Sequence, residues 1–242
     1  MQLSVFGLGH AGAVAAGVLA SRGHDVIAFD QDPARLDLIQ RGVGPSNEPG
    51  LDELLRDALA MGKLSATANV TEAVVGSALS NVFASTMVSP LEERNLAAIT
   101  ALCRQIGVAI GIKPKFHSVV LRTALPADAT RAVLIPTLER ASGKRAGVDF
   151  GVAIYPTFLR RGSAIQDCIN PPAIVLGVTD DETLARLREM EIALQAPELV
   201  VELAEAEAMA RAGGVRTAAQ AAERRATGFP GFAIPAVNLG SC

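Results

Sequence analysis

Three glycines near the start of the chain carry the strongest chemical signal in the sequence. Gly7, Gly9 and Gly12 follow a short apolar run and precede an alanine-rich stretch. In a Gly-x-Gly-x-x-Gly loop the first glycine permits a tight turn, the second lets the backbone approach a pyrophosphate, and the third allows close packing of helix on strand. The helix N terminus then favours the phosphate charge. The pattern therefore predicts a dinucleotide site.

An acidic residue completes this pattern. Asp30 lies 18 residues beyond Gly12, at the end of the second apolar run. A carboxylate there can accept hydrogen bonds from the ribose hydroxyls and repels a 2′-phosphate, so NAD is favoured over NADP. His10 and Ala11 occupy the variable positions of the loop and join the predicted cofactor-binding residues. For the His10 side chain a solvated loop position is preferred to a catalytic role.

The elements that must position these residues alternate between strand and helix. Residues 2–6 predict a strand, the following stretch to Arg22 a helix, residues 25–29 a second strand, and Asp32-Pro33 the start of another helix. The remaining predicted elements are a helix over 51–59 after the turn-rich segment 44–50, strands at 79–84, 118–123, 148–153, 173–178 and 199–201, helices near 90–106 and 128–141, and a helix from a capping box at 179–182 to about Gln195.

This order predicts an α/β protein with a Rossmann-like, doubly wound parallel sheet. Residues 1–202 are expected to form the NAD-binding domain. Residues 203–242 are expected to form a helical and irregular C-terminal remnant, interrupted at Gly213-Gly214.

The composition of the chain argues against several classes of binding partner. The 242 residues are 50% hydrophobic and 4% aromatic, with a net charge of −3 and no tryptophan, which argues against a nucleic-acid binder. The apolar stretch 5–20 is broken by glycines and follows no positive segment, so neither export nor a membrane span is expected. The unpaired spacing of Cys103, Cys168 and Cys242 favours a reducing cytoplasm, and the three histidines show no metal-ligand spacing.

Three segments carry a resemblance to a known family: FGLGHAGAVAAGVLASRGHDVIAFD, PSNEPGLDELL and ASGKRAGVDFGVAIYPTFLR. Over residues 1–207 the chain resembles the nucleotide-sugar 6-dehydrogenases, and among them most closely the GDP-mannose 6-dehydrogenases. The resemblance implies oxidation of a sugar C6 alcohol to the acid in two NAD-linked hydride steps, through a thiohemiacetal and a thioester on a cysteine. It also assigns Arg35, where the family usually has lysine, and Thr86 to the cofactor site.

The resemblance weakens in the catalytic motifs. The family's Asn-Pro-Glu-Phe-Leu-x-Glu corresponds to residues 155–161, where both glutamates are replaced, by Thr157 and Arg161. Ala208 and Ala212 stand where the family has lysine and asparagine. The cysteine motif is matched at residues 230–233 and 240–242 with four extra residues between them, so Cys242 is the candidate nucleophile. Its own α-carboxylate is a nearby like charge that disfavours the thiolate.

The roles of two arginines, two lysines and two further cysteines are less specific. Arg160 and Arg161 form either a solvated face or a contact to the diphosphate of a nucleotide sugar, with Arg161 as the candidate substrate residue. Lys113 and Lys115, beside a proline, are expected on a surface loop. No role is assigned to the thiols at positions 103 and 168.

Three functions are compatible with these observations. The first is a catalytically impaired nucleotide-sugar 6-dehydrogenase. The second is a non-catalytic NAD-binding relative, or a truncated or frame-shifted gene product, that pairs with a full-length dehydrogenase as a homo- or heterodimer. The third is a different NAD-linked reductase, which ranks last because no Tyr-x-x-x-Lys pair or His/Asp dyad is found.

Overall fold

The computed structural model describes residues 1–83 and 91–212, with backbone alone for 91–95. In this part of the chain, strands alternate with helices as predicted. The strands are β1 (Gln2–Phe6), β2 (Asp25–Phe29), β3 (Leu64–Thr67), β4 (Leu79–Val82), β5 (Ser118–Leu121), β6 (Gly151–Ile154), β7 (Ile174–Val178) and β8 (Glu198–Val201). The helices are α1 (His10–Ser21), α2 (Pro33–Gln40), α3 (Leu51–Ala60), α4 (Val70–Val75), α5 (Leu91–Ile112), α6 (Ile135–Ser142), α7 (Ala164–Ile169), α8 (Asp181–Met190) and α9 (Leu203–Arg211), and a π-helical turn, Thr130–Leu134, runs into α6.

The described strands form one sheet in the order β3-β2-β1-β4-β5-β6-β7-β8. Strands β1 to β6 are parallel, so their carboxyl ends meet at one edge, and the prediction of a Rossmann-like α/β sheet is confirmed. The sheet departs from a wholly parallel one at a single described pair, because β7 runs antiparallel to β6 before β8 pairs with it in parallel.

Both faces of the sheet are covered. Helices α4, α5, α6 and α9 supply the apolar side chains on one face, and α1, α3 and α8 do so on the other. Apolar residues fill both faces of the central strands because a parallel sheet is buried on each side. No helix in the described ranges is long and apolar enough to cross a membrane.

Several predicted boundaries were wrong. The strand expected at 148–153 is β6, Gly151–Ile154, and α8 begins one residue later than the capping-box prediction and ends at Met190. Asp180, not Thr179, caps that helix by accepting from the Thr183 N–H. Elements β3, α4 and α7 were missed because each is only four to six residues long, too short for a clear hydrophobic period.

Helix α9, the last of the described helices, packs against the sheet. Leu203, Ala206 and Met209 lie in the core on the face that α5 covers. The buried carboxylate of Glu207 accepts hydrogen bonds from the N–H (3.1 Å) and the hydroxyl (2.8 Å) of Thr130. The first nine residues after position 202 therefore share the core of the sheet, and the boundary predicted at 202/203 stays a prediction.

The prediction that Lys113 lies on a surface loop is wrong. Lys113 is 5% exposed, although the sequence places it beside a proline in a polar stretch. Its Nζ donates to the carbonyl oxygen of Val74 at 2.8 Å, to that of Ser77, and to Nδ1 of His117 at 2.9 Å. Lys113 lies one residue after α5, and its ammonium group reaches the end of helix α4. Burial lowers the pKa of this ammonium group to about 8.

The lysine begins a buried polar chain that runs from His117, the residue before β5, to Ser80 on β4 and Ser4 on β1. His117 Nε2 lies 2.8 Å from Ser80 Oγ, which lies 2.8 Å from Ser4 Oγ. Ser4 Oγ lies 2.9 Å from Ser77 Oγ, which donates to the Ala73 carbonyl. A neutral His117 that accepts at Nδ1 and donates at Nε2 satisfies this whole chain.

This arrangement predicts acid sensitivity. Burial and then the Lys113 charge hold the pKa of His117 well below 6.5. The unfolded chain therefore takes up a proton at this histidine below about pH 6.5 while the native chain does not, so the free energy of unfolding should fall by about 2 kcal/mol between pH 7 and pH 5. Urea unfolding at several pH values measures it. His24, whose pKa burial also lowers, adds to the slope.

A His117→Gln variant is the control for this prediction, since it cannot take up a proton at that position. Its stability should depend less on pH than that of the wild type over the same range. Equal slopes in the two proteins would contradict the assignment of the effect to His117.

Candidate functional site

The carboxyl ends of neighbouring parallel strands bring the predicted cofactor residues together. Gly7 follows β1, Asp30 follows β2 and Phe83 follows β4. The Gly7 N–H donates to the Phe29 carbonyl at 2.9 Å, and the Phe83 N–H donates to the Phe6 carbonyl at 2.8 Å. The glycine loop therefore leaves the sheet where the strand order reverses, which is the place where α/β sheets bind ligands.

Two glycines are required by the shape of this loop. Gly7 has a φ of +89°, and a Cβ placed on it would lie 2.3 Å from the Phe83 carbonyl oxygen. A Cβ on Gly12 would lie 1.9 Å from the Gly7 carbonyl oxygen. Side chains at either position would fill the cradle that the backbone forms, so the loop fits the close approach of a pyrophosphate.

Helix α1 begins directly at this cradle. Gly9 is its N-cap, with extended backbone and no side chain that could cap the first turn. The small Ala11 follows in that turn, and Gly12 is buried against the sheet. The first-turn N–H groups and the helix dipole therefore face the loop as an anion site.

Asp30 is buried at 6% exposure beside the loop. Its Oδ2 accepts from the Leu8 N–H at 2.6 Å, and its Oδ1 accepts from the Asp32 N–H at 2.9 Å. Arg35 donates to Oδ2 from Nη1 at 3.3 Å, and its Nε lies 3.6 Å from Asp32. Arg35 thus lies against two carboxylates beside the loop, and its assignment to the cofactor site stays a prediction.

His10 differs from its predicted solvated position. It is the first residue of α1, and its side chain is 16% exposed. Nδ1 lies 2.8 Å from Ser46 Oγ, and Nε2 lies 3.7 Å from Glu48 Oε2. The histidine therefore joins the glycine loop to the segment 44–50.

Glu48 was missed at the sequence level, where its segment is only turn-rich. Its side chain is 1% exposed. Oε1 accepts from the Ala164 N–H and Oε2 from the Gly162 N–H, each at 2.7 Å. The signal was present in the unusual glutamate between Asn47 and Pro49, but its partners are more than 110 residues away.

A second buried cluster lies beyond β5 and β6. Arg122 stacks on the Tyr155 ring, with 3.7 Å between Cζ and the ring centroid, and donates to Asn81 at 3.1 Å. Glu191 lies 3.9 Å from Arg122 and pairs with Arg22 at 2.7 Å. Burial first, and the Glu191 carboxylate next, raise the pKa of Tyr155, so its hydroxyl stays protonated.

The segment 155–161 lacks a carboxylate, and its polar groups are engaged within the protein. Thr157 Oγ1 donates to the Arg122 carbonyl at 3.0 Å. Arg160, which is 73% exposed at its side chain, pairs with Asp167 at 2.6 Å. The exposed Arg161 lies in the turn that precedes α7.

The cysteines and one threonine complete the account of predicted residues. Thr86 and Cys242 lie outside the described residues. Cys103 is buried, and burial raises its thiol pKa to about 12. Burial also raises the pKa of the partly exposed Cys168. Neither thiol has the lowered pKa of a reactive cysteine.

Comparison with known proteins gives a consistent result. Residues 1–193 match the family model for the UDP-glucose/GDP-mannose dehydrogenase family, NAD binding domain. GDP-mannose 6-dehydrogenase of Azotobacter vinelandii is 44% identical over 197 residues, which are 81% of this chain and 45% of that protein. The corresponding enzyme of Pseudomonas aeruginosa is 42% identical over 207 residues, 85% of this chain and 48% of that protein.

Solved structures agree. A ternary complex of GDP-mannose dehydrogenase from Pseudomonas aeruginosa superposes with a TM-score of 0.83 at 39% identity, covering 91% of this chain and 51% of that one. A UDP-glucose dehydrogenase from Pyrobaculum islandicum gives a TM-score of 0.80 at 33% identity, covering 87% and 48%. The chain therefore spans about half the length of the relatives it matches.

Proposed function

The chain belongs to the UDP-glucose/GDP-mannose dehydrogenase family, and on this premise we propose that it binds NAD as a nucleotide-sugar 6-dehydrogenase does, with sugar oxidation slowed by its altered catalytic segment. Residues 1–193 are the family's NAD-binding domain. One observation carries the proposal. The backbone cradle of Gly7 and Gly12 is closed to any side chain and lies beside the buried carboxylate of Asp30.

These residues divide the work of holding the cofactor. Backbone N–H groups at the start of α1 would hold the pyrophosphate, and Asp30, which has unused lone pairs, would accept from the ribose hydroxyls. When bound, NAD supplies an acceptor for a hydride from an alcohol carbon. The chain's own contribution is to orient the dinucleotide at the edge where the strands end.

We expect slow sugar oxidation because the side chains at two catalytic positions cannot take up and release protons as a glutamate does. Thr157 and Arg161 stand at the family's glutamate positions, and Thr157 is already bonded to a carbonyl. Loss of a general base costs about 10² to 10⁴ in rate, and loss of an electrostatic stabiliser about 10² to 10³. Ala208, which replaces the family's lysine, supplies no such charge.

A second function is favoured by the same segment. If Thr157 and the two arginines leave no proton carrier at all, the chain is an NAD-binding relative without turnover that pairs with a related dehydrogenase. It predicts NAD binding and no change in absorbance with a nucleotide sugar.

One experiment separates these functions. NAD affinity is measured by calorimetry, and NADH formation is followed at 340 nm with GDP-mannose and with UDP-glucose. Binding with slow turnover supports the impaired enzyme, and binding without turnover supports the second function. An absence of NAD binding would overturn both.

Cofactor choice provides a further prediction. The wild type should bind NAD at least tenfold more tightly than NADP, which corresponds to about 1.4 kcal/mol of charge repulsion at Asp30. Asp30→Asn should lower the ratio of the affinity for NAD to the affinity for NADP, because it removes the negative charge that repels the 2′-phosphate. Asp37→Asn on the exposed face of α2 is the matched control and should keep it. Calorimetry with both cofactors measures the ratio, and an unchanged ratio in Asp30→Asn would contradict the assignment.

A further inference from the structure

Glu48 holds two distant backbone groups at once. Its carboxylate is almost completely buried and accepts the N–H groups of Gly162 and Ala164. Two hydrogen bonds to a charged acceptor stabilise a carboxylate that has lost its water. The carboxylate is therefore the anchor of the turn at residues 160–164 that leads into α7.

The same carboxylate faces the glycine loop. Glu48 Oε2, which accepts from Gly162, is also the oxygen that lies 3.7 Å from His10 Nε2. That Nε2 is buried and has no hydrogen-bond partner, while Nδ1 is held by Ser46. His10 directly follows Gly9, the N-cap of α1. A ligand bound at the N terminus of α1 would therefore lie next to His10, whose side chain faces Glu48.

Ala164 at the end of the turn is buried, and the Ser163 N–H donates to the Arg160 carbonyl at 3.2 Å, but residues 160–162 are exposed. Gly162 is exposed and has a φ of +84°, and a cleft of about 410 Å³ separates part of the turn from α3. On its far side Asp167 accepts from the Arg160 N–H at 2.8 Å. Between these two anchors lies Arg161, so the position of its backbone depends on Glu48.

We propose that Glu48 is a positioning residue that couples the NAD-binding loop to the turn at residues 160–164, through His10. NAD bound at residues 7–12 restrains His10, His10 changes the environment of Oε2, and Oε2 shifts the N–H of Gly162. The turn that carries Arg161 thus responds to the cofactor. This inference rests on the proposed function because its ligand is NAD.

The test follows backbone amide resonances of the whole chain during NAD titration. In the wild type, NAD should shift the Gly12 amide and also the Gly162 and Ala164 amides. In Glu48→Gln, one carboxylate oxygen becomes an amide donor that opposes an N–H, so the response at Gly162 and Ala164 should be lost while that at Gly12 remains. Glu53→Gln, an exposed carboxylate lining the same cleft, should respond like the wild type.

A second variant guards against a folding defect in Glu48→Gln. His10→Phe keeps a ring and leaves both Glu48 hydrogen bonds in place. Because His10 belongs to the cofactor loop, the affinity of this variant for NAD is measured by calorimetry and its titration is carried to saturation. At saturation the Gly12 amide should still shift, and the Gly162 amide should not. Before NAD is added, this substitution should itself shift the Gly162 amide. The response at Gly12 reports on NAD binding, and the response at Gly162 reports on the coupling through His10 and Glu48.

The outcomes are distinct. No shift at Gly12 means that NAD does not bind, which defeats the proposed function; the ligand-free comparison of wild type and His10→Phe then decides the coupling. A Gly162 response that survives in His10→Phe means direct contact with NAD or another route, and overturns the proposal. A shift at Gly12 with none at Gly162 in the wild type overturns it as well.

Discussion

Replacing Gly12 with alanine is expected to weaken NAD binding by on the order of 100-fold, about 3 kcal/mol. The new Cβ would lie 1.9 Å from the Gly7 carbonyl oxygen, a backbone atom that cannot rotate away as a side chain can. The loop must move to relieve the contact, and Gly7 cannot easily follow because its N–H is bonded to Phe29. The N–H groups that would hold the pyrophosphate then lose their alignment. Calorimetry with NAD measures the loss.

Gly62→Ala is the matched control. Gly62 has a positive φ, +66°, which Gly12 does not have, and it lies in the turn between α3 and β3, at the opposite edge of the sheet. Alanine there costs about 1 kcal/mol of stability from backbone strain but meets no atom within 4 Å. NAD affinity should be unchanged in this variant. Equal losses in the two variants would show that general destabilisation, and not the shape of the cradle, causes the effect.

Replacing Lys113 with methionine is expected to lower the free energy of unfolding by about 3 kcal/mol, or roughly 10 °C in Tm. Methionine keeps most of the volume of the stem but donates no hydrogen bond. The carbonyl oxygens of Val74 and Ser77 and the Nδ1 of His117 then lose their donor in a buried place. Urea unfolding at pH 7 measures the change.

Lys115→Met provides the comparison, since Lys115 is exposed two residues away. That change should alter stability by no more than about 0.5 kcal/mol. Lys113→Met should also make stability less sensitive to acid, because the lysine charge is one cause of the lowered pKa of His117. Similar stabilities for the two methionine variants would show that the buried chain contributes little.

The fold class and the core of the cofactor site could be predicted from the sequence because their signals are local. Gly7, Gly9 and Gly12 lie within six residues, and Asp30 ends the next strand. A short loop between strand and helix leaves few backbone shapes, so residue type alone predicts the turn. The expected preference for NAD over NADP follows from one carboxylate, Asp30, at the end of the second strand. The family resemblance adds Arg35, which the structure places against Asp30.

The rest was decided by contacts between residues far apart in the chain. Lys113 has the neighbours of a surface residue in sequence, yet the end of α4 and His117 enclose it. Glu48 has its partners at Gly162 and Ala164, which no local pattern connects to it. A polar side chain is stable in the interior only when the fold supplies its hydrogen-bond partners, and those partners are known only once the strands are packed. The sequence by itself thus determined that a dinucleotide loop exists and which cofactor it is expected to bind; the tertiary structure alone decided which buried charges hold that loop and its neighbouring turn in place.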